Sequence, residues 1–224
     1  MGAKNPKTVT IYGRLSFPNF TYAGALARNP KSKFPKPDAE VQPDFNLLVE
    51  QAQLDKFIAH VTNEFLPYCL DQESKGEKRD ALDTKAVKKL TDLINAGDWD
   101  NQPPYIPIKV IGEKTMDLAP ECVANIKVVG NKGTDVELKA IVNSEDELAV
   151  PDPDLLQFPV IRPINSTVHQ MYAGCYVAAT LNLYAYMSGA LPGFTASAGV
   201  AVFKADADRF GGGAALDEDE IFAD

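Results

Sequence analysis

The stretch MYAGCYVAATLNLYAYM, residues 171–187, decides the fold class. Small or apolar side chains alternate in it with polar and aromatic ones, and this period of two is that of a β-strand. One face would carry Ala173, Cys175, Val177, Ala179, Leu181, Leu183 and Ala185, and the other Tyr172, Gly174, Tyr176, Ala178, Thr180, Asn182, Tyr184 and Tyr186. Small interior side chains are typical of a narrow barrel, so we predict a long strand that lines one.

Further strands are predicted on both sides of this stretch. Residues 8–17 alternate, with Val9, Ile11, Leu15 and Phe17 facing the core, and residues 44–49 form a second strand. Residues 122–129 and 135–142 flank Gly-Asn-Lys-Gly, which predicts a hairpin. Residues 194–205 form one more strand, separated from the first stretch by a turn at residues 189–193.

Helices are predicted in an insertion after the second strand, at about residues 50–120. One helix has the apolar stripe Leu54, Phe57, Ile58, Val61 and Phe65 and ends before Pro67; another begins at a Thr84 cap and ends at Gly97. Residues 18–37 are predicted to be a loop. This order favours a mainly β fold, a small closed or partly open barrel with an α insertion, over a parallel α/β sheet.

The net charge of −9 is strongly partitioned. Residues 1–37 carry seven basic side chains and no acidic one, whereas residues 214–224 carry five acidic side chains and no basic one. Residues 38–213 carry a net charge of −11. The total charge argues against a protein that holds nucleic acid by bulk positive charge, but a local basic groove remains compatible with it.

Several function classes have weak support. Three cysteines without a paired spacing are typical of a reducing compartment rather than a disulfide framework. The histidines lack partners at metal-ligand spacing, and the serines lie in no nucleophile motif, so we expect no metal, no cofactor and no enzyme activity. The uncharged residues 163–203 resemble a membrane span in composition alone, because their period is two.

Two sets of residues favour single-stranded nucleic acid as the ligand. Tyrosines on one strand face could stack with bases, and the cations and aromatics of residues 18–37 could follow the phosphates. The candidate binding residues are Tyr12, Arg14, Phe20, Tyr22, Lys31, Lys33, Lys36, Tyr105, Arg162, Tyr172, Tyr176, Tyr184, Tyr186, Lys204 and Arg209. A structural or scaffolding β-barrel that uses the tyrosine face as a protein interface is the alternative.

Three motifs resemble the OB-fold single-stranded DNA-binding proteins of tailed phages, of the T7 type. They are GRLSFP (13–18), YAGCYVAATLNLYAY (172–186) and AGVAVFKADADRFGGG (198–213), followed by an acidic ending with Phe222 near the terminus. The resemblance implies a five-stranded Greek-key OB barrel over residues 1–213 and an acidic tail over residues 214–224. Through the matching motifs it implies roles for Tyr172, Tyr176, Tyr184, Phe203, Lys204, Arg209 and Phe210.

The resemblance also implies a biological role. It is sequence-nonspecific single-stranded DNA binding, cooperative or dimeric, in phage replication or recombination in the cytoplasm of an infected bacterial host. The tail would recruit replication proteins such as polymerase or helicase, and its charge predicts that it also competes with DNA. The tail residues concerned are Asp217, Glu218, Asp219, Glu220, Ile221 and Phe222.

Overall fold

The structure is a computed structural model that describes residues 5–32, 35–97, 99, 106–142, 160–163 and 171–210. The strands are β1 (Thr8–Asn19), β2 (Asp44–Val49), β3 (Ile108–Val110), β4 (Ala124–Val129), β5 (Glu137–Val142), β6 (Val160–Pro163), β7 (Tyr176–Ser188), β8 (Leu191–Ser197) and β9 (Val200–Ala205). The helices are α1 (Tyr22–Arg28), α2 (Gln51–His60), α3 (Leu66–Ser74), α4 (Thr84–Ala96) and α5 (Glu113–Met116). The prediction of a mainly β fold with helices is confirmed.

Five of the strands form a closed ring of pairings. The order is β1-β2-β4-β8-β7, and β7 pairs with β1 again. The pair β4–β8 is parallel, and the other four are antiparallel. Ile11, Leu47, Ile126, Leu181 and Ala196, one from each strand, are fully buried, so the core lies inside the ring.

The alternation predicted for residues 171–187 holds along β7, but the strand begins only at Tyr176, and Gly174, predicted on the outer face, is buried. Cys175, Val177, Ala179, Leu181 and Leu183 are at most 2% exposed and belong to the main core. The same core continues into the helical insertion. The Phe65 ring at the α2–α3 junction contacts the Phe194 ring of β8, with centroids 5.8 Å apart. The insertion and the ring of strands therefore share one hydrophobic core.

The prediction that Phe17 faces the core is wrong. The β1–β2 register is regular from Arg14 to Ser16 and shifts before Asn19, which is the signature of a bulge. Phe17 lies inside this irregularity with φ 47°, and its side chain is 70% exposed. One extra residue breaks the period of two, so the alternation that holds for Val9 to Leu15 cannot be extended past Ser16.

The predicted hairpin between β4 and β5 is also wrong. β4 pairs with β2, β3 and β8, whereas β5 pairs with β6 and runs parallel to β9. Hydrogen bonds from Val136 N to Phe20 O and from Glu137 N to Gly199 O, both 2.8 Å, attach the start of β5 to other segments. A glycine-rich turn therefore joins two strands that pair elsewhere.

Several element boundaries differ from those predicted. Pro67 does not end the first inserted helix, because α2 continues through a π-helical turn (Val61–Phe65) into α3, whose first turn accommodates the proline. Asp83, rather than Thr84, caps α4, and Gly97 ends it at φ 70°. The strand predicted over residues 194–205 is two strands, β8 and β9. Residues 18–37 contain the helix α1 instead of loop alone.

Within the described part of the chain, no helix is long and apolar enough to cross a membrane.

Candidate functional site

A basic cleft lies between α1 with its following turn and the outer face of β2 and β4. Its volume is about 230 Å³. We call "basic cleft" the space lined by Ala25, Arg28, Asn29, Ser32, Lys36, Val41, Gln42, Asp44, Lys127 and Val129. Three cations from three different segments meet there, while one carboxylate is present. This is the arrangement expected of a site for an anionic chain.

Local hydrogen bonds position the cations of the connection between β1 and β2. Thr21 caps α1 by accepting from Gly24 N at 3.1 Å, so Arg28 falls in the last turn, where the helix dipole favours a cation. The Asn29 side chain donates to Lys36 O at 2.7 Å and accepts from Lys36 N at 2.9 Å. This pair of bonds closes the segment that carries Lys31 and holds Lys36 beside the cleft.

Asp44 holds two of the cleft cations at once. Its Oδ1 accepts from Arg28 Nη2, and its Oδ2 lies 3.4 Å from Lys127 Nζ. Arg28 and Lys127 keep 54% of their side chains exposed in spite of this pairing. The carboxylate therefore neutralises part of the positive charge but leaves both cations accessible.

An exposed aromatic side chain, Phe17, lies near the end of β1 that pairs with Asp44. Phe17 lies one residue after Ser16, which pairs with Asn46, and two residues before Asn19, which pairs with Asp44. A phenylalanine at φ 47° costs about 1–2 kcal/mol relative to extended backbone, and its exposed ring gains little burial in return. Strain of this kind is concentrated at functional sites. The Phe-Pro pair at 17–18 is the only sequence signal of this irregularity.

The predicted tyrosine face divides into two groups. Tyr12, Tyr184 and Tyr186 are 46%, 38% and 38% exposed on the outer face of β1 and β7. The Lys7 ammonium lies 4.6 Å from the Tyr184 ring centroid, and Lys56 lies 5.6 Å from that of Tyr12. Between these ends, Thr10 and Thr180 share a hydroxyl hydrogen bond of 2.8 Å.

The other two tyrosines have structural contacts. The Tyr172 hydroxyl donates to Asp206 Oδ1 at 2.8 Å and lies 2.9 Å from Ala207 O. Tyr176 donates to Glu121 Oε1 at 3.2 Å. Burial and the nearby carboxylate raise the pKa of Tyr176 above its ordinary value. The two groups are not continuous, because a covering segment formed by residues 206–210 separates them.

Arg14, predicted to lie on an exposed face, is only 5% exposed beneath that segment. Its guanidinium donates to Gly174 O at 2.9 Å, Asp208 O at 2.6 Å, Leu118 O at 3.3 Å and Glu121 Oε1 at 3.0 Å. These bonds use the donors that a phosphate would need. Arg14 thus fastens residues 206–210 across β1.

Gly174 lets this segment approach closely. It has φ 114°, and a Cβ placed on it would lie 2.1 Å from Asp208 O. The Phe210 ring packs under the Arg14 guanidinium at 4.5 Å and against the small apolar cluster of Leu48, Ile111, Ala119 and Cys122. Residues 206–210 therefore divide the outer face of β1 into a tyrosine half and a basic-cleft half.

The remaining predicted residues are scattered. Phe20 is 9% exposed and packs on Phe45 with ring centroids 5.2 Å apart, so its ring is not available for stacking. Tyr22 donates to Asp38 O at 3.0 Å, and Arg209 lies 4.4 Å over the Tyr172 ring. Lys204 is half-buried on β9. Lys33, Tyr105 and the tail residues 217–222 lie outside the described residues, as does the side chain of Arg162 on β6.

The three cysteines are free and buried. Burial raises the pKa of Cys69 and Cys122 to about 12 and that of Cys175 to about 11, so these free thiols stay protonated. Among the residues that the structure describes, no cluster of histidine, cysteine and carboxylate side chains could hold a metal ion.

The sequence matches no protein-family model and no curated protein. The structure is similar to the single-stranded DNA-binding protein from bacteriophage Enc34, with 14% identity, a TM-score of 0.43 and coverage of 96% of this chain and 90% of that chain. A structure of that protein in complex with ssDNA has 14% identity and a TM-score of 0.43, and the match covers 92% of this chain and 90% of that chain. The single-stranded DNA-binding protein gp2.5 of bacteriophage T7 has 10% identity and a TM-score of 0.42, and the match covers 90% of this chain and 94% of that chain.

These similarities confirm the resemblance to phage single-stranded DNA-binding proteins that the sequence motifs predicted. At TM-scores below 0.5 they assign no function to this chain. The function therefore has to be argued from the residues of the chain itself.

Proposed function

We propose that this protein binds single-stranded DNA without sequence specificity, with the phosphates in the basic cleft. The observation that carries this proposal is the meeting of Arg28, Lys36 and Lys127 at one open cleft beside the sheet. Cations on separate segments suit a ligand with repeated negative charge, because each can contact a different phosphate. The strained and exposed Phe17 at the same end of β1 would offer a face for base stacking.

We propose that the ring of five strands is an OB-fold. Two features support this: the ring order β1-β2-β4-β8-β7 and its one parallel pair, β4–β8. An OB-fold binds oligonucleotides on the face of its second and third strands and with the loop between its first two. In this chain those strands would be β2 and β4, and that loop would carry α1, Arg28 and Lys36.

The exposed tyrosines would extend the binding surface. Tyr184 and Tyr186 are two residues apart on one face of β7, a spacing of roughly 7 Å along a strand. Tyr12 and its neighbour Lys56 lie on the paired strand and on α2, respectively. Bases would stack on these rings after the DNA strand has passed residues 206–210. We therefore propose two DNA-contact regions, the basic cleft and the exposed tyrosines, rather than one continuous platform.

We further propose the biological setting that the sequence resemblance implies. The protein would act without catalysis in phage DNA replication or recombination, in the cytoplasm of an infected bacterial host. Residues 214–224 would recruit a replication partner such as polymerase or helicase and compete with DNA for the positive cleft. Cooperative or dimeric binding belongs to the same proposal.

Binding to labelled oligo-dT across a salt series tests the function. Trp99 is 8% exposed and donates to Ile94 O at 3.2 Å, so fluorescence anisotropy of the oligonucleotide is a better signal than tryptophan quenching. Lys127→Ala should weaken binding and reduce the slope of log affinity against log salt by about 0.7, the value for one neutralised phosphate on a single strand. Lys88→Ala, on the exposed face of α4, is the matched control and should change neither the affinity nor the salt slope.

The same titration separates the proposal from its alternative. If the intact chain does not bind oligo-dT at low salt, single-stranded DNA binding is excluded. A scaffolding protein that uses Tyr184, Tyr186 and the neighbouring Met187, which is 49% exposed, as a protein interface would then be favoured.

A further inference from the structure

Asp44 lies between two of the cations of the basic cleft that would receive a phosphate. It is on β2, opposite Asn19 of β1 and Val129 of β4, and its two oxygens point to cations from opposite walls of the cleft. Oδ1 accepts from the Arg28 guanidinium, and Oδ2 lies 3.4 Å from Lys127 Nζ. Two oxygens that bridge an arginine and a lysine are also what a phosphodiester would present.

We propose that Asp44 occupies the phosphate position of the basic cleft in the free protein and is displaced from its cations when a strand binds. This inference rests on the proposed function and adds its regulation. Because the carboxylate is attached to the chain, it competes at a high effective concentration that a dissolved anion does not match. The strand exchanges one anion for another at Arg28 and Lys127 instead of meeting free cations.

This exchange would make binding depend on the contacts that the DNA strand makes outside the Asp44 position. A single phosphate makes only the interactions that Asp44 already provides, so its net gain in free energy is small. A longer strand adds contacts with Lys36 and stacking on exposed rings, which the carboxylate cannot replace. Asp44 would thus discriminate against isolated phosphates and favour polynucleotides.

The cleft does not depend on Asp44 for its shape. The Asn19 amide oxygen, in the orientation that satisfies its hydrogen bonds, accepts from the Arg28 guanidinium and from Ala25 N at 3.3 Å. The Thr21 cap and the two bonds between Asn29 and Lys36 fix the rest of the segment. Loss of the Asp44 charge should therefore free the cations while leaving Arg28 and Lys36 in place.

Asp44→Asn tests the inference in the full-length chain. The amide keeps the size of the side chain but not its charge. Two exposed ion pairs disappear, so we expect affinity for a labelled oligo-dT to rise about 3- to 30-fold at low salt. The salt slope should become steeper by about 0.7 for each additional phosphate that the released cations neutralise, so the variant and the wild type should converge at high salt.

The controls separate the failure of this inference from that of the proposed function. Asp92→Asn, which removes the same charge from an exposed ion pair on α4, should leave affinity within about twofold, since Asp92 does not line the basic cleft and exposed charges are screened by salt. If the wild type binds but Asp44→Asn binds equally or more weakly, Asp44 is a structural residue and the inference is wrong. If the wild type does not bind, the proposed function itself fails.

A double-mutant cycle covers the case in which Asp44→Asn is less stable. In an Arg28→Ala and Lys127→Ala background, the increase in affinity from Asp44→Asn should disappear, because the cations it would release are gone. An increase of unchanged size in that background would show that the charge acts at long range and would overturn the displacement.

Discussion

Replacement of Phe17 should separate binding from stability. Base stacking on an aromatic side chain contributes about 1–3 kcal/mol per base, so Phe17→Ala should weaken oligo-dT binding roughly 5- to 150-fold. The ring is 70% exposed, so little apolar area returns to water when it is removed. We therefore expect the free energy of unfolding to change by less than about 1 kcal/mol.

A glycine at the same position sharpens this prediction. The φ of 47° costs a non-glycine residue about 1–2 kcal/mol, whereas glycine loses about 0.5–1 kcal/mol through unfolded-chain entropy. Phe17→Gly should thus be at least as stable as Phe17→Ala and yet bind equally weakly. Phe17→Trp should retain most of the affinity, because the stacking surface remains.

Two measurements on the same samples decide the outcome. Urea unfolding gives the stability of each variant, and anisotropy with labelled oligo-dT gives its affinity over a salt series. The Phe17 variants should keep the wild-type salt slope, since stacking releases no counterions, in contrast to Lys127→Ala. Phe17 is a structural residue and not a stacking residue if Phe17→Ala lowers stability by several kcal/mol and leaves affinity unchanged.

Three further predictions concern stability and reactivity. Arg14→Met should lower the free energy of unfolding by roughly 3 kcal/mol in urea titrations, because it leaves buried carbonyl oxygens and Glu121 without their donor. Desolvation opposes ionisation of Glu121, but its backbone hydrogen bond and Arg14 together lower its pKa. Its contribution to stability should therefore be complete above pH ~4.3 and be lost as pH falls through the lowered value, a loss that a Glu121→Gln variant should not show. The thiols of Cys69, Cys122 and Cys175 should resist a thiol reagent at pH ~8 in the native state and react fully in urea, since burial raises the pKa of each.

The parts of the fold that can be predicted depend on local patterns. The interior of β7 follows from the alternation of small side chains, and the second predicted strand has the bounds of β2, Asp44–Val49. The prediction of a β4–β5 hairpin fails because turn chemistry describes only the four turn residues Gly-Asn-Lys-Gly and not the partners of the strands that flank them. Which edge of β5 pairs, and with which strand, is decided by β9, some 60 residues away in sequence.

The site shows the same limit. Clustering in the sequence identifies the cations of residues 18–37, and the structure places Arg28 and Lys36 at one cleft. The burial of Arg14 could not be predicted, because the carbonyl that covers it belongs to Asp208, 194 positions away. The prediction for Phe17 is wrong because a single bulge residue reverses the face.

The pairing of charges explains why a count of them is a poor guide to binding in this protein. Of the seven basic residues before residue 38, Lys7 is paired with Asp80 at 2.5 Å, Arg14 is buried against Glu121, and Arg28 is held by Asp44. Each of these acids comes from the acidic remainder of the chain. The positive charge of Arg28 therefore becomes available only when a polynucleotide displaces the Asp44 carboxylate, as proposed above. That of Arg14 is unavailable, because its guanidinium is buried. Affinity for a strand should then follow from the exchange of anions at a few exposed cations, and a net charge of −9 does not oppose it.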